Sequence, residues 1–180
     1  MARFLHALLL GLIGAGIVHI AILLMIPVFA KLDAWSALEE RGDLYAVVRL
    51  DGADTNVQAF QSIDPLFDAV ACRFDLSQGM VRLAAEGEVP FWSISVYDRI
   101  GQNIFSFNDR ASPEAALDFV VATPAQMVEL RNDLPEAFEH SVFVEADVEN
   151  GIAVVRAFVP DRSWEPTISD YLKSIDCVRH

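Results

Sequence analysis

Residues 4–30 read FLHALLLGLIGAGIVHIAILLMIPVFA, and this stretch decides how the chain is organised. Its 27 residues include no Lys, Arg, Asp or Glu, whereas all 26 acidic residues of the chain follow it. An α-helix rises about 1.5 Å per residue, so about 20 apolar residues span the hydrocarbon core of a bilayer, which is about 30 Å thick. The stretch therefore predicts a transmembrane signal anchor at residues 1–31.

Two alternatives to a retained anchor stay open. A cleaved signal peptide has an apolar region of only about 7–15 residues, although Val28-Phe29-Ala30 resembles a weak cleavage site. A buried helix of a globular protein is usually shorter and amphipathic. One span after a three-residue tail is typical of a signal anchor with a cytoplasmic N-terminus. In a bacterium we therefore expect a single-pass inner-membrane protein with residues 31–180 in the periplasm.

Small residues recur along one side of the predicted helix. Ala7, Gly11 and Ala15 are four residues apart, and His19 continues the series. Small side chains let two membrane helices approach closely, and an ionisable group at membrane depth usually faces protein or water. The pattern predicts helix association, either with a second copy or with another membrane protein. The alternative is chance, because Gly and Ala are common in membrane helices.

The acidic composition excludes two classes of partner. The formal net charge is −13, and Arg3 is the only basic residue before Lys31. Nucleic acids need Lys and Arg for their phosphates, and an anionic lipid surface attracts basic segments. We therefore expect an integral membrane protein with a protein partner or self-association, and no nucleic acid. The sequence identifies no small-molecule ligand.

Two cysteines, Cys72 and Cys177, both follow the anchor. In an oxidising compartment an even number of cysteines indicates a disulfide. The alternative is one buried thiol and one exposed thiol near the C-terminus. No cysteine and histidine cluster with zinc-site spacing is present, so we predict neither a metal site nor a cofactor.

Short apolar runs separated by turn residues make up the rest of the chain, and they predict strands joined in hairpins. In the run at 90–98, Trp92, Ile94 and Val96 alternate with the other residues, so they should face the core. We expect the run at 66–74 to pair with the run at 79–87, and 90–98 to pair with 102–109.

Asn150-Gly151 gives the strongest hairpin signal, because this pair is preferred in tight two-residue turns. A turn there would fold the strand 142–149 back on the strand 152–159, with Glu145 opposite Arg156.

These elements add up to about eight short strands, mostly antiparallel, and three short helices. The predicted fold class is mainly β (α+β), an antiparallel β-sandwich-like domain with a few short helices, preceded by one N-terminal transmembrane helix. Residues 32–64 are expected to form a juxtamembrane helix and a connection. Residues 65–180 are expected to form the β-rich extracytoplasmic domain.

One block of the chain resembles a known family. Residues 91–110, FWSISVYDRIGQNIFSFNDR, resemble the DUF1254/DUF1214 group of bacterial proteins, whose members carry an FWS-hydrophobic-YD strand and then a run ending near Asn-Asp-Arg. The resemblance implies a β-rich extracytoplasmic domain and no agreed activity. Larger members have two domains, whereas this chain has room for one.

Asp-Arg occurs three times, at residues 98–99, 109–110 and 161–162. If the three pairs clustered, their guanidinium groups would suit a carboxylate or a phosphate. The alternative is a set of weak surface ion pairs. The candidate ligand or partner surface comprises Trp92, Tyr97, Asp98, Asp109, Arg110 and Arg162.

No catalytic residues are predicted, because the sequence contains no Gly-x-Ser-x-Gly motif and no phosphate-binding glycine loop. The leading hypothesis is a non-enzymatic envelope protein that scaffolds or regulates a membrane or cell-wall partner. The alternative is a periplasmic ligand-binding protein or hydrolase acting on cell-envelope carbohydrate or lipid-linked material. A deep pocket would favour the alternative, and a flat apolar patch would favour the scaffold.

Overall fold

A computed structural model describes residues 2–30, 33–50, 64, 66–112 and 116–180, with side chains omitted for residues 27–30 and Asp33. The chain divides into two compact units, of which the first ends at Asp33 and the second runs from Ala34 to His180.

The first unit is a single helix, α1 (Ala2–Ala30). An 18-residue window within Ala2–Ile26 has a mean hydropathy of 2.6, and the described side chains of α1 are exposed. By length and composition α1 can therefore span a membrane. The exposed residues include the series of small residues and the histidine that follows it, Ala7, Gly11, Ala15 and His19. Helix association through these residues stays a prediction.

The second unit contains nine strands and three short helices in its described residues. In chain order these are α2 (Asp33–Glu39), β1 (Val47–Arg49), β2 (Phe67–Asp75), β3 (Val81–Ala84), β4 (Trp92–Asp98), β5 (Asn103–Asn108), β6 (Asp118–Ala122), α3 (Pro124–Asn132), β7 (Val142–Glu145), β8 (Asn150–Phe158), α4 (Glu165–Lys173) and β9 (Asp176–Arg179).

The strands form two sheets. The first has five strands in the order β1-β2-β8-β4-β5, and all its neighbours are antiparallel. The second has four strands in the order β7-β6-β3-β9, and its β6–β7 pair is parallel. This architecture confirms the predicted mainly β (α+β) fold.

The main core fills the space between the sheets. Trp92, Ile94 and Val96 of β4 are at most 3% exposed, which confirms the predicted inner face of this strand. They share the core with Phe119 of β6 and with Tyr171 of α4. Helix α4 therefore completes the same hydrophobic core as the two sheets.

A disulfide joins Cys72 of β2 to Cys177 of β9, so it links the two sheets through the core. Of the two alternatives that the sequence left open, the structure contains the bridge. Strand β9 itself is not among the strands predicted from the sequence.

The hairpin predicted around Asn150-Gly151 is wrong. Both residues belong to β8, and neither has the positive φ that the expected turn requires. Strand β8 pairs with β2 and β4, whereas β7 lies in the other sheet beside β6. Glu145 accordingly forms an ion pair with Arg131 at 3.6 Å, and not with Arg156.

Gly151 has a packing role in place of the expected turn role. A Cβ atom at this position would overlap the ring of Phe74 and would lie 2.9 Å from the carbonyl oxygen of Tyr97. Only glycine lets β8 pass this close to β2 and β4.

The hairpin expected between 66–74 and 79–87 is also wrong. A 3₁₀ turn at Leu76–Gln78, begun by a hydrogen bond from the Ser77 N–H to Asp75, carries the chain from β2 to β3 in the other sheet. The β4–β5 hairpin is confirmed. Its turn is closed by Asp98, whose Oδ1 accepts hydrogen bonds from the backbone N–H groups of Ile100 and Gln102.

The expected segment at 32–64 is described in part. Its helix is present as α2, and residues 34–50 belong to the same compact unit as the sheets. Most of the expected connection, residues 51–63, lies outside the described residues.

Replacing Gly151 with Ala should destabilise the domain by about 1–3 kcal/mol, because the added methyl group overlaps a buried ring. Urea unfolding of the full chain in detergent, followed by tryptophan fluorescence, measures the change. Gly16→Ala is the control, because a Cβ there meets nothing within 4 Å. Equal midpoints for both variants would contradict the packing role of Gly151.

Reduction of the Cys72–Cys177 bridge should lower the free energy of unfolding by about 4 kcal/mol, because the bridge closes a loop with a sequence separation of 105. Urea titrations with and without dithiothreitol give the difference. The double variant Cys72→Ala/Cys177→Ala is the control and should not respond to dithiothreitol. A wild-type chain that is equally stable with and without reductant would refute this prediction.

Candidate functional site

A cavity of about 580 Å³ lies on the outer face of the five-stranded sheet, the face turned away from the main core. Its floor is formed by β2, β4 and β8, and Ala34 and Leu38 of α2 contribute to one wall. The lining is mostly apolar. The floor includes Ala69, Ala71, Ser93, Val154 and Ile152.

Small side chains on the outer strands create the cavity. In the register of the sheet, Arg156 of β8 lies opposite Ala69 on β2 and opposite Ser93 on β4. Val154 lies opposite Ala71 on the β2 side. Because alanine and serine do not fill the space beside the longer β8 side chains, the outer face is concave.

Helix α2 forms a fixed wall. Two guanidinium groups form cation–π contacts with its Trp35 ring, at centroid distances of 5.0 Å for Arg73 and 5.3 Å for Arg99. Arg73 is only 5% exposed, and it donates a 2.8 Å hydrogen bond to the carbonyl oxygen of Gly42 and forms a 3.5 Å ion pair with Glu39. These contacts attach the helix to the sheet, since each cation–π pair contributes about 0.5–2 kcal/mol.

Aromatic rings border the other end of the cavity. Phe67 and Phe91 line it, with ring centroids 6.3 Å apart in an edge-to-face arrangement. Phe158 packs against Phe67 at 5.5 Å. Such pairs hold one another in place, so this end has a rigid apolar border.

Among the residues that the structure describes, the charged ones in the lining are Arg156 and Asp64. The Oδ1 atom of Asp64 accepts a 3.0 Å hydrogen bond from the backbone N–H of Leu66, so this carboxylate stabilises its own turn. The Arg156 side chain is exposed and makes no hydrogen bond or ion pair within the described part of the chain. Arg156 is therefore the cation that this cavity presents.

Of the predicted site residues, Tyr97 lines the cavity and is half-buried. The prediction of Trp92 as part of a ligand or partner surface is wrong, because Trp92 is 3% exposed and faces the main core. Asp98 closes the β4–β5 turn, as described above.

The three Asp-Arg pairs do not cluster. Strand β4 is about 20 Å long, and Arg99 follows one end of it. Arg110 and Arg162 follow β5 and β8 at the opposite end, and both are exposed. In the third pair, hydrogen bonds from the Ser163 side chain and backbone hold the pKa of Asp161 below its ordinary value.

Asp109 belongs to a different environment. Its Oδ1 atom and the hydroxyl oxygen of Tyr171 are both buried, and neither has a hydrogen-bond partner in the structure as described. Burial, assisted by the nearby charge of Asp109, raises the pKa of the Tyr171 phenol strongly. Tyr171 therefore stays protonated throughout the physiological pH range.

Sequence reasoning missed the cavity because it assigned only one face of each strand to a core. In β8, Ala153, Val155 and Ala157 face the main core, while Ile152 and Val154 are apolar on the other face. A strand that is apolar on both faces indicates a sheet covered on both sides. That signal, with Arg156 as its polar exception, was present in the sequence.

Among the described residues there is no group of three or more His, Cys, Asp or Glu that could hold a metal ion.

Comparisons with known proteins show a shared fold. No protein-family model and no curated protein matches the chain. The crystal structure of the VPA0106 protein from Vibrio parahaemolyticus is similar with a TM-score of 0.62 and 12% identity, over 86% of this chain and 35% of that one. An uncharacterised protein from Burkholderia cenocepacia gives a TM-score of 0.47 and 10% identity, over 79% and 36% of the respective chains. The chain thus spans about a third of the length of these structures.

Proposed function

We propose that the chain is a single-pass membrane protein whose extracytoplasmic β-sandwich binds a largely apolar small molecule in the cavity. The observation that carries the proposal is the cavity itself, about 580 Å³ with an apolar floor and an aromatic border. Ligand sites in proteins have volumes of about 300–1,000 Å³ and mostly apolar linings with a few polar groups.

Two features support the proposed location. Helix α1 is long and apolar enough to cross a bilayer. The disulfide between Cys72 and Cys177 favours an oxidising compartment, such as a bacterial periplasm. We therefore propose a cytoplasmic N-terminus, α1 in the inner membrane and the second unit in the periplasm.

The lining favours binding over catalysis. Its described residues supply the hydroxyl groups of Ser93 and Tyr97, but no histidine or cysteine that would pair with a hydroxyl in nucleophilic catalysis. The sequence left open a periplasmic ligand-binding protein or a hydrolase as the alternative. Of these two, we propose the ligand-binding protein.

Scaffolding or regulation of a membrane or cell-wall partner is the second candidate. It is favoured by the stripe of Ala7, Gly11, Ala15 and His19, which is exposed along α1. Membership of the DUF1254/DUF1214 group stays a prediction, and the fold shared with VPA0106 carries no activity to this chain.

The cavity can be tested by photolabelling the full chain in nanodiscs with a neutral alkyl diazirine and mapping the labelled peptides. Label should concentrate in the peptides that contain residues 67–71 and 152–156. Ser93→Leu should reduce this labelling to background, because the larger side chain occupies the floor. Labelling of α1 is the internal reference.

Ser106→Leu is the matched control. Ser106 lies on the neighbouring strand β5, where its hydroxyl group forms a hydrogen bond with that of Ser95 on β4. It is exposed, but it does not line the cavity. Labelling of the floor peptides should persist in this variant. A wild-type chain that is labelled only in α1 would overturn the proposed function.

The proposed orientation can be tested with reporters fused after His180. In a bacterial host, alkaline phosphatase should be active there and a fluorescent protein that folds only in the cytosol should be dark. The control is a chain without residues 4–30, which should reverse both signals. An active cytosolic reporter on the full chain, or a mature N-terminus at Lys31, would contradict the anchor.

A further inference from the structure

We propose that the cavity is specific for a single-chain amphiphile with an anionic headgroup. Arg156 binds the headgroup, and the alkyl chain of the ligand lies on the apolar floor. This inference rests on the proposed function and adds the chemical class of the ligand. The shared chemistry is one alkyl chain with a terminal carboxylate or phosphate.

The position of Arg156 supports an anionic headgroup. Of its neighbours across the sheet, Ala69 has no side-chain acceptor, and no hydrogen bond joins Arg156 to Ser93. In the described part of the chain, no carboxylate lies within ion-pair distance of its guanidinium. An arginine fork presents parallel N–H donors that match the two oxygens of a carboxylate or phosphate.

The other charged groups near the cavity are engaged elsewhere. Asp64 accepts the hydrogen bond from Leu66, and no ion pair joins it to Arg156. Arg73 bonds Gly42 and Glu39 beneath Trp35. The described lining therefore carries one carboxylate, which is held in its own turn, and one cation, Arg156, which is left to bind a headgroup.

The floor supports an alkyl chain. Arg156, Val154 and Ile152 follow one another on the same face of β8, and strand geometry puts about 13 Å between the first and the last. Arg156 lies two residues from Phe158, which packs on Phe67 at the aromatic end. The headgroup of the ligand would thus lie near the aromatic end of the cavity, and its alkyl chain would extend over Val154 and Ile152 towards Tyr97.

Both parts of the ligand are needed for binding. A single exposed arginine binds a small free anion only weakly, because water and salt screen the charge. The apolar floor alone does not distinguish an anionic amphiphile from a neutral one. An amphiphile combines the two contributions, and its headgroup sets the preference.

The test is competition against the alkyl diazirine label in nanodiscs with three ligands of one chain length: decanoate, decyl phosphate and decanol. Each ligand is compared between wild type and Arg156→Gln, so its partitioning into lipid cancels. Arg156→Gln should weaken competition by decanoate or decyl phosphate about 10- to 100-fold, because a charged hydrogen-bond donor is lost. Competition by decanol should not change.

Arg110→Gln is the matched control, because it removes the same charge from an exposed site at the same end of the sheet but outside the cavity lining. It should leave all three competitions unchanged. The stronger of the two anionic competitors identifies the headgroup as carboxylate or phosphate. Equal competition by all three ligands in wild type and Arg156→Gln would overturn this inference but leave cavity binding intact. Failure of every ligand, together with no labelled floor peptide, would overturn the proposed function as well.

Discussion

Burial of both faces of the five-stranded sheet is the constraint on which the rest of the domain depends. The inner face packs on the second sheet through residues such as Val70, Ile94 and Val155. The outer face is partly covered by α2, whose Trp35 and Leu38 pack with Ala71 and Ile152. Because α2 has only seven residues, it covers part of the outer face, and the cavity occupies another part.

This constraint explains which parts of the fold could be predicted from the sequence. The alternation of residues in 90–98 predicted the buried face of β4, because successive side chains of a strand point to opposite faces whichever strands it pairs with. Pairing could not be predicted in the same way. The residues between β2 and β3 and those between β7 and β8 lead from one sheet to the other, and their sequences resemble those of hairpin turns.

Gly151 illustrates the ambiguity in physical terms. Glycine is selected wherever a side chain would clash, and a tight turn is only one such place. Here the clash is with Phe74, which is distant in sequence, so no local pattern reveals it. The alternating residues of 142–159 nevertheless do meet in one core, since Val144 and Val155 pack from opposite sheets. The burial was predictable from the pattern, and the partner strand was not.

The candidate site was less predictable than the fold, because its proposed selectivity depends on Arg156. The hairpin predicted from the sequence placed this arginine opposite Glu145. In the structure Glu145 pairs with Arg131, and Arg156 is left at an apolar surface. The chain around it is acidic, with a formal net charge of −13, so its field repels free anions in solution. A small anion therefore gains too little at one exposed arginine to overcome that repulsion. An alkyl chain contributes about 0.8 kcal/mol for each buried CH₂ group, so only an anion that brings its own apolar surface is retained.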